Sequence, residues 1–252
     1  MQEKQWYIGC SGFYYREWKD VFYPKGWPQK KWFEYYCQHF NTLEINNTFY
    51  RFPEVGILKS WFDRSPDNFL FTVKVTRTIT HLKPFIETEN QIQEFYEVIT
   101  EGFGKKLGPV LFQLPPRLVY SEDVLESIIA QLNPAFINVL EFRNESWWRQ
   151  EVYTALAKKG IVFSGISYPD LPNDVICNSA TNYYRFHGVP KLYFSEYEPA
   201  FLRQVVLLIQ EDKNIERAFL YFNNTAVAAA LDNARFVQQF IQSNKEKYYK
   251  TL

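Results

Sequence analysis

Cysteine is scarce in this 252-residue chain. Cys10, Cys37 and Cys177 stand far apart and in odd number, which excludes a disulfide framework and a paired zinc motif. Apolar runs are short. None approaches the roughly 18 residues of a membrane span, so no membrane partner is expected. No apolar leader appears in Met1-Gln2-Glu3-Lys4-Gln5-Trp6, and with reduced thiols this points to a cytoplasmic protein. An excess of charge is also missing, since Lys+Arg and Asp+Glu are equal at 28 each. Such balance creates no general field for nucleic acid or anionic lipid. Lys30-Lys31 and Lys105-Lys106 are too short to count as a basic patch, so nucleic acid is a partner the chain does not favour. No glycine-rich phosphate loop follows the first strand, and Gly102-Phe103-Gly104 follows a helix instead. No H-E-x-x-H motif is present, and aspartates are absent from the strand ends. No metal site and no cofactor are therefore expected.

Aromatic residues are abundant at 19%, more than loops alone can hold, so most belong to a core. Some fall in loops, as in Gly12-Phe13-Tyr14-Tyr15 and Ser146-Trp147-Trp148. There they either stack on a ligand or close over the fold.

The chain is organised around Thr42-Leu43-Glu44-Ile45-Asn46-Asn47-Thr48-Phe49-Tyr50-Arg51. It opens as a strand, with Leu43 and Ile45 alternating against Glu44 and Asn46, and ends in a polar, aromatic loop. Residues two apart share a face of a strand. The same device recurs. Short apolar strands are read at 6–10, 42–46, 69–75, 110–114, 137–143, 161–166, 182–187 and 218–223. Helices are read at 30–40, 55–64, 89–100, 121–132, 151–159, 199–210 and 226–242. Ser121 and Thr225 are expected N-caps, and Gly160 a C-terminal stop. Eight strands alternating with helices, with a sixth crossover that is largely loop, predict a TIM-like (β/α)8 barrel as a single domain over 1–252. The alternative is an open doubly wound sheet.

In such a barrel the site lies at the C-terminal strand ends. Parity then selects the candidates. Strand two offers Glu44 and Asn46, with Tyr50 beyond. Strand three offers Lys74, and its loop His81. Strand four offers Gln113, and strand five Glu141 and Arg143, with Trp147 beyond. Strand seven offers Arg185 and His187, and strand eight Asn223 and Asn224. Polar groups do not belong in an apolar core unless paired. Glu44 and Glu141 are therefore either acid/base groups or charge partners of the arginines; a Glu141–Arg185 plug would be purely structural. His187, then His81, are the acid/base candidates by pKa. Arg143 and Arg185 suit an anionic group, helped by a helix start at Asn224-Thr225.

Taken in order, Gly9-Cys10-Ser11-Gly12, Phe22-Tyr23-Pro24, Glu44-Ile45-Asn46-Asn47-Thr48-Phe49-Tyr50, Ile79-Thr80-His81, Phe112-Gln113-Leu114-Pro115, Glu141-Phe142-Arg143 with Trp147, Tyr184-Arg185-Phe186-His187-Gly188 and Tyr221-Phe222-Asn223-Asn224 form a set. The chain resembles the YecE-like family, domain of unknown function 72, over nearly its whole length. Phe13 departs from the tryptophan usual after Ser-Gly. The resemblance implies a TIM-like barrel and supplies no reaction. Two classes stay open. One is an enzyme (hydrolase, lyase or isomerase) acting on a small anionic, phosphorylated sugar- or nucleotide-like molecule. The other is a non-catalytic binding protein for nucleic acid or a protein partner.

Overall fold

The computed structural model describes residues 4–249. Strands and helices alternate as the hydrophobic periods dictate. The strands are β1 (Gln5–Cys10), β2 (Thr42–Ile45), β3 (Leu70–Lys74), β4 (Leu107–Gln113), β5 (Asn138–Glu141), β6 (Val162–Phe163), β7 (Gly165–Ser167), β8 (Thr181–Phe186) and β9 (Arg217–Phe222). The helices are α1 (Trp32–Cys37), α2 (Val55–Arg64), α3 (Glu89–Phe103), α4 (Glu122–Gln131), α5 (Gln150–Ala157), α6 (Pro199–Glu211) and α7 (Ala229–Tyr249). The stretch between β7 and β8 carries no helix, as expected from its prolines. Ser121 caps α4 by accepting from the Val124 N–H at 3.3 Å, a contact worth about 1 kcal/mol. Gly160 follows α5 with φ +67°, a conformation that a side chain resists.

All the strand ladders are parallel, and they form two sheets. One runs β2-β3-β4-β5-β6, the other β7-β8-β9-β1. The expected sixth strand is two short pieces. Ser164 lies between them and still donates its N–H to Leu140 of β5 at 2.9 Å. Side chains supply rungs where ladders stop. Asn41 accepts from the Ile8 N–H at 3.0 Å and donates to the Trp6 carbonyl at 2.8 Å, tying β1 to the chain entering β2. Asn178 does the same for Phe163 and Ile161 at 3.0 and 2.9 Å. Ser11 and Glu44 form an isolated parallel bridge. A Cβ on Gly9 would stand 2.2 Å from the Thr42 carbonyl oxygen, so β1 and β2 approach as only glycine allows.

Alternation sorts the strand side chains into two cores. Cys10, Ile45, Phe71, Phe112, Phe142, Phe186 and Phe222 pack against the helices. Phe71 stacks on Phe103 of α3 with ring centroids 4.2 Å apart. The opposite faces supply a second cluster of Leu111, Val139, Val162, Tyr183, Phe219 and Tyr221. Burial on both faces is what a parallel sheet requires. The Tyr221 hydroxyl reaches across to Thr42 at 2.5 Å and Thr72 at 2.8 Å, so side chains of the two sheets meet in this inner layer.

Two expectations fail at element ends. The last helix begins at Ala229, not Ala226, so Thr225 caps no helix. Asn224 instead donates to the Ser195 carbonyl at 2.9 Å and to Asn233 at 3.0 Å, and the Ala226 N–H bonds the Tyr193 carbonyl. These tertiary contacts hold 224–228 out of a helix. The first helix is also shorter than read, and a 3₁₀ turn at Gln29–Lys31 precedes it.

Candidate functional site

The inner faces of β2, β5 and β8 end in charge. Arg185 is fully enclosed, and its guanidinium spans both sheets. Nη2 donates to Glu44 Oε1 at 2.6 Å, and Nη1 donates to Glu141 Oε2 at 2.7 Å. Tyr183, two residues before Arg185 and so on the same face, donates its hydroxyl to Glu44 Oε2 at 2.5 Å. Arg143, two residues after Glu141, gives Nε to Glu141 Oε1 at 2.6 Å. Every carboxylate oxygen is thus committed, and both carboxylates have no exposure. Burying such charges costs several kcal/mol each and is tolerated because all are paired. Burial pushes the Glu141 carboxyl up, but Arg143, Arg185 and His187 outweigh it and hold it well below the ordinary range.

His187 sits on this floor. Its Nε2 faces Arg143 Nη2 at 3.0 Å and Arg185 Nη1 at 3.3 Å, both donors only, so Nε2 presents its lone pair. Nδ1 faces Asn223 Nδ2 at 2.9 Å, so a ring proton on Nδ1 requires the Asn223 amide turned to present its oxygen. Burial, then Arg143 and Arg185, keep the imidazole neutral well below its usual pKa, with Glu141 opposing. Tyr168 closes one side, edge-on to His187 and under the Arg143 guanidinium at 4.1 Å.

Above the floor the side chains are half-buried. Lys74 ends β3 and places Nζ 4.1 Å from the centre of the Phe49 ring. It makes no ion pair or hydrogen bond through Nζ among the described residues. Burial, then Arg185, pull its pKa from 10.5 to about 7. The chain turns here because Thr48 bonds the Lys74 carbonyl at 2.6 Å. His81 lies in a π-helical turn, Thr78–Leu82, with Phe49 edge-on to its ring. Its Nδ1 meets Thr80 Oγ1 at 2.9 Å and its Nε2 meets Gln113 Nε2 at 3.4 Å. Burial, then Lys74, lower it to about 4. Asn46 Oδ1 is buried without a partner among the described residues, and so are Ser11 Oγ and Arg185 Nε. Arg143 Nη1 makes no hydrogen bond among the described residues, and the side chain keeps 8% exposure, so one edge of this guanidinium is uncommitted.

Parity therefore brings Glu44, Lys74, Gln113, Glu141, Arg143, Arg185, His187 and Asn223 together, with His81 beside them. Other candidates lie apart. Trp147 is fully enclosed, stacked on Phe142 at 4.1 Å with its Nε1 on the Leu118 carbonyl, so it packs the core and offers no stacking face. Asn224 points to Asn233, away from the cluster. Tyr50 is 73% exposed and reaches Arg77, 6.0 Å away, on the outer rim. Glu44 is bonded to Arg185 and Tyr183, and Glu141 and His187 to the arginines; neither carboxylate nor the imidazole is exposed to solvent. The sequence reading missed Tyr183, Tyr168 and Phe49. Tyr183 was available to it, being two residues from Arg185; Phe49 and Tyr168 belong to loops, where parity does not apply. No group of three or more His, Cys, Asp or Glu able to hold a metal occurs among the described residues. No helix among them is long and apolar enough to cross a membrane.

These features define a class: a parallel α/β protein whose strand C-termini carry a buried ion-pair floor beneath half-buried basic and amide groups. The chain belongs to the family described as protein of unknown function DUF72, whose model matches residues 7–251. It is 30% identical over 161 residues to the UPF0759 protein YunF of Bacillus subtilis (strain 168), covering 58% of this chain and 54% of that protein. It is 28% identical over 96 residues to the UPF0759 protein YecE of Escherichia coli (strain K12), covering 35% of each. The matched stretch thus spans about half the length or less of these curated relatives. The crystal structure of a DUF72 family protein from Thermotoga maritima superposes with a TM-score of 0.82 at 25% identity, over 94% of this chain and 99% of that one.

Proposed function

We propose that the chain is an enzyme that binds a small anionic molecule at the C-terminal strand ends and moves a proton there. The observation that carries this is the pair of uncommitted cationic donors, Lys74 Nζ and Arg143 Nη1, above a floor whose other charges cancel. Two carboxylates offset two guanidinium groups, so Lys74 sets the charge a ligand meets. A monoanion suits it. Arg143 offers a planar donor edge to a carboxylate or phosphate, while Asn46, Gln113 and Asn223 supply amides around it and His81 and Tyr50 border it. Lys74 takes the proton-transfer role, because a base works best with a pKa near the operating pH. Glu44, Glu141, Arg185 and His187 hold Arg143 in place.

The scaffold in this reading is one closed (β/α)8 barrel. Ser164 joining β6 to β7, the Asn41 rung and the Ser11–Glu44 bridge support closure. The three unpaired cysteines support a reducing, cytoplasmic setting.

A thermal-shift screen of carboxylated and phosphorylated metabolites tests the reading. Stabilisation by small anions is expected, and Arg143→Ala should weaken the best binder about tenfold or more in calorimetry, the loss of one charged hydrogen bond. Stabilisation by oligonucleotides alone would favour a non-catalytic binding protein.

A further inference from the structure

Lysines in this fold are handled in two ways. Lys106 is buried, and its ammonium gives hydrogen bonds to the Phe62 carbonyl, the Ser65 carbonyl and Ser65 Oγ at 2.6, 2.8 and 3.0 Å. Those three acceptors fill its donor capacity. Lys59 and Lys105 are exposed and paired with Glu101 and Asp67. Lys74 alone in this comparison is recessed with no acceptor among the described residues, its Nζ lying over the Phe49 ring. An amine so placed is a poor structural cation and an accessible nucleophile.

We propose that Lys74 captures a carbonyl compound: Nζ condenses with an aldehyde or ketone that carries a carboxylate or phosphate, forming an imine. The proposal rests on the anion-binding reading above and deepens it by naming the substrate class. The step is balanced without a redox partner. The Nζ lone pair forms a bond to the carbonyl carbon, and the C=O π pair moves to oxygen. A proton passes from nitrogen to that oxygen through solvent, giving a carbinolamine. Solvent protonates its hydroxyl, the nitrogen lone pair expels that group as water to give the protonated imine, and return of the N–H proton to solvent leaves neutral C=N. Addition of water reverses the sequence.

Three features of the site serve this chemistry. The amine must be neutral to attack, and a lysine pKa near 7 leaves about half of it so at neutral pH. The protonated imine is a cation, and the Phe49 face beside Nζ stabilises it. Arg143 lies within electrostatic reach of Lys74, and its Nη1, which makes no hydrogen bond among the described residues, provides the second anchor for an anionic tail. That anchor is what separates an anionic carbonyl compound from a neutral one.

Reductive trapping tests the proposal on the full chain. The protein is incubated with glyoxylate, with glycolaldehyde phosphate, or with neutral butyraldehyde, each with sodium cyanoborohydride, and the adducts are located by peptide mass mapping. The expected result is one adduct per chain on Lys74, with the anionic aldehydes at least tenfold over any other lysine. Its rate should rise with pH and reach half its plateau near pH 7. Arg143→Gln should lower the preference for the anionic aldehydes over butyraldehyde about tenfold, and Lys74→Arg should abolish the adduct. Mapping on the wild-type chain needs no variant, so a misfolded variant does not blunt the test. Adducts spread evenly over Lys59, Lys105 and the other lysines would overturn the proposal. Stabilisation by anions without an adduct at Lys74 would also overturn it while leaving the anion reading intact. Neither stabilisation nor an adduct would overturn both.

Discussion

Arg185 and Glu141 meet at 2.7 Å with neither side chain exposed to solvent. Glu44 completes the bridge from the other side of the guanidinium at 2.6 Å. Removing the arginine would strand two carboxylates in a dry space, and removing one partner of a buried pair costs about 3–5 kcal/mol. Arg185→Met should therefore lower the urea midpoint strongly with little change in m. An unchanged midpoint would mean the floor contributes nothing to stability.

Lys74 has the opposite sign. Its folded pKa, about 7, lies below the unfolded value of 10.5, so the folded state binds fewer protons between these pH values and stability rises with pH across that window. Below pH 7 the chain carries the full cost of a recessed, unpaired ammonium. Lys74→Met should stabilise the protein at pH 6, by roughly 1–3 kcal/mol given that the residue is only half-buried. The gain should shrink toward pH 10. Denaturant titrations of both proteins at the two pH values measure it; a loss of stability at pH 6 would contradict the account.

Acid should act through the histidines first. His81 falls to about 4, and His187 well below 6.5. As pH drops below 6.5 the unfolded chain takes up these protons and the folded chain does not, so stability falls, by up to about 1.4 kcal/mol per pH unit for each group. Glu141 adds to the loss below pH 4.5, since its carboxyl is held well below that value. Calorimetric scans from pH 7 to 5 should show a falling Tm, and His187→Gln should flatten the slope by roughly a third to a half, with His81 and His39 carrying the rest. An undiminished slope would place the sensitivity elsewhere.

Gly9→Ala probes the contact between β1 and β2. The added methyl would stand 2.2 Å from the Thr42 carbonyl oxygen and 2.8 Å from the Tyr36 hydroxyl. Overpacking of this kind costs about 1–3 kcal/mol. Gly56→Ala on α2, where nothing lies within 4 Å, should instead be neutral or stabilising. Equal midpoints for the two variants in denaturant would show that the strands do not press together there.

Parity made much of this legible in advance. Leu43 and Ile45 had to face the helices, which left Glu44 inward, and the same argument paired Glu141 with Arg143 and Arg185 with His187. What parity does not contain is partnership. That the arginines would be consumed by the carboxylates, and that Lys74 would be left without one, depends on strand order and on which loops cover the site. Trp147 was misplaced for a related reason: its position after strand five looked like a rim, but the ring folds back onto Phe142. Thr225 looked like a cap because an alanine-rich run follows it. Asn224 and Ala226 are instead claimed by residues 195, 233 and 193, which no local pattern reveals.

The pairing of β1 with β9 joins Gln5 to Arg217. A ribosome therefore releases β1 long before its ladder partner exists, while β2 to β6 gather in sequence order behind it. Through most of synthesis the edge of Gln5, Tyr7, Gly9 and Ser11 that β9 will pair stands open, and an open strand edge recruits other chains. The Asn41 side chain, made soon after β1, bonds Trp6 and Ile8 on the opposite edge, the one facing β2, so it anchors the strand early while the edge that awaits β9 stays open.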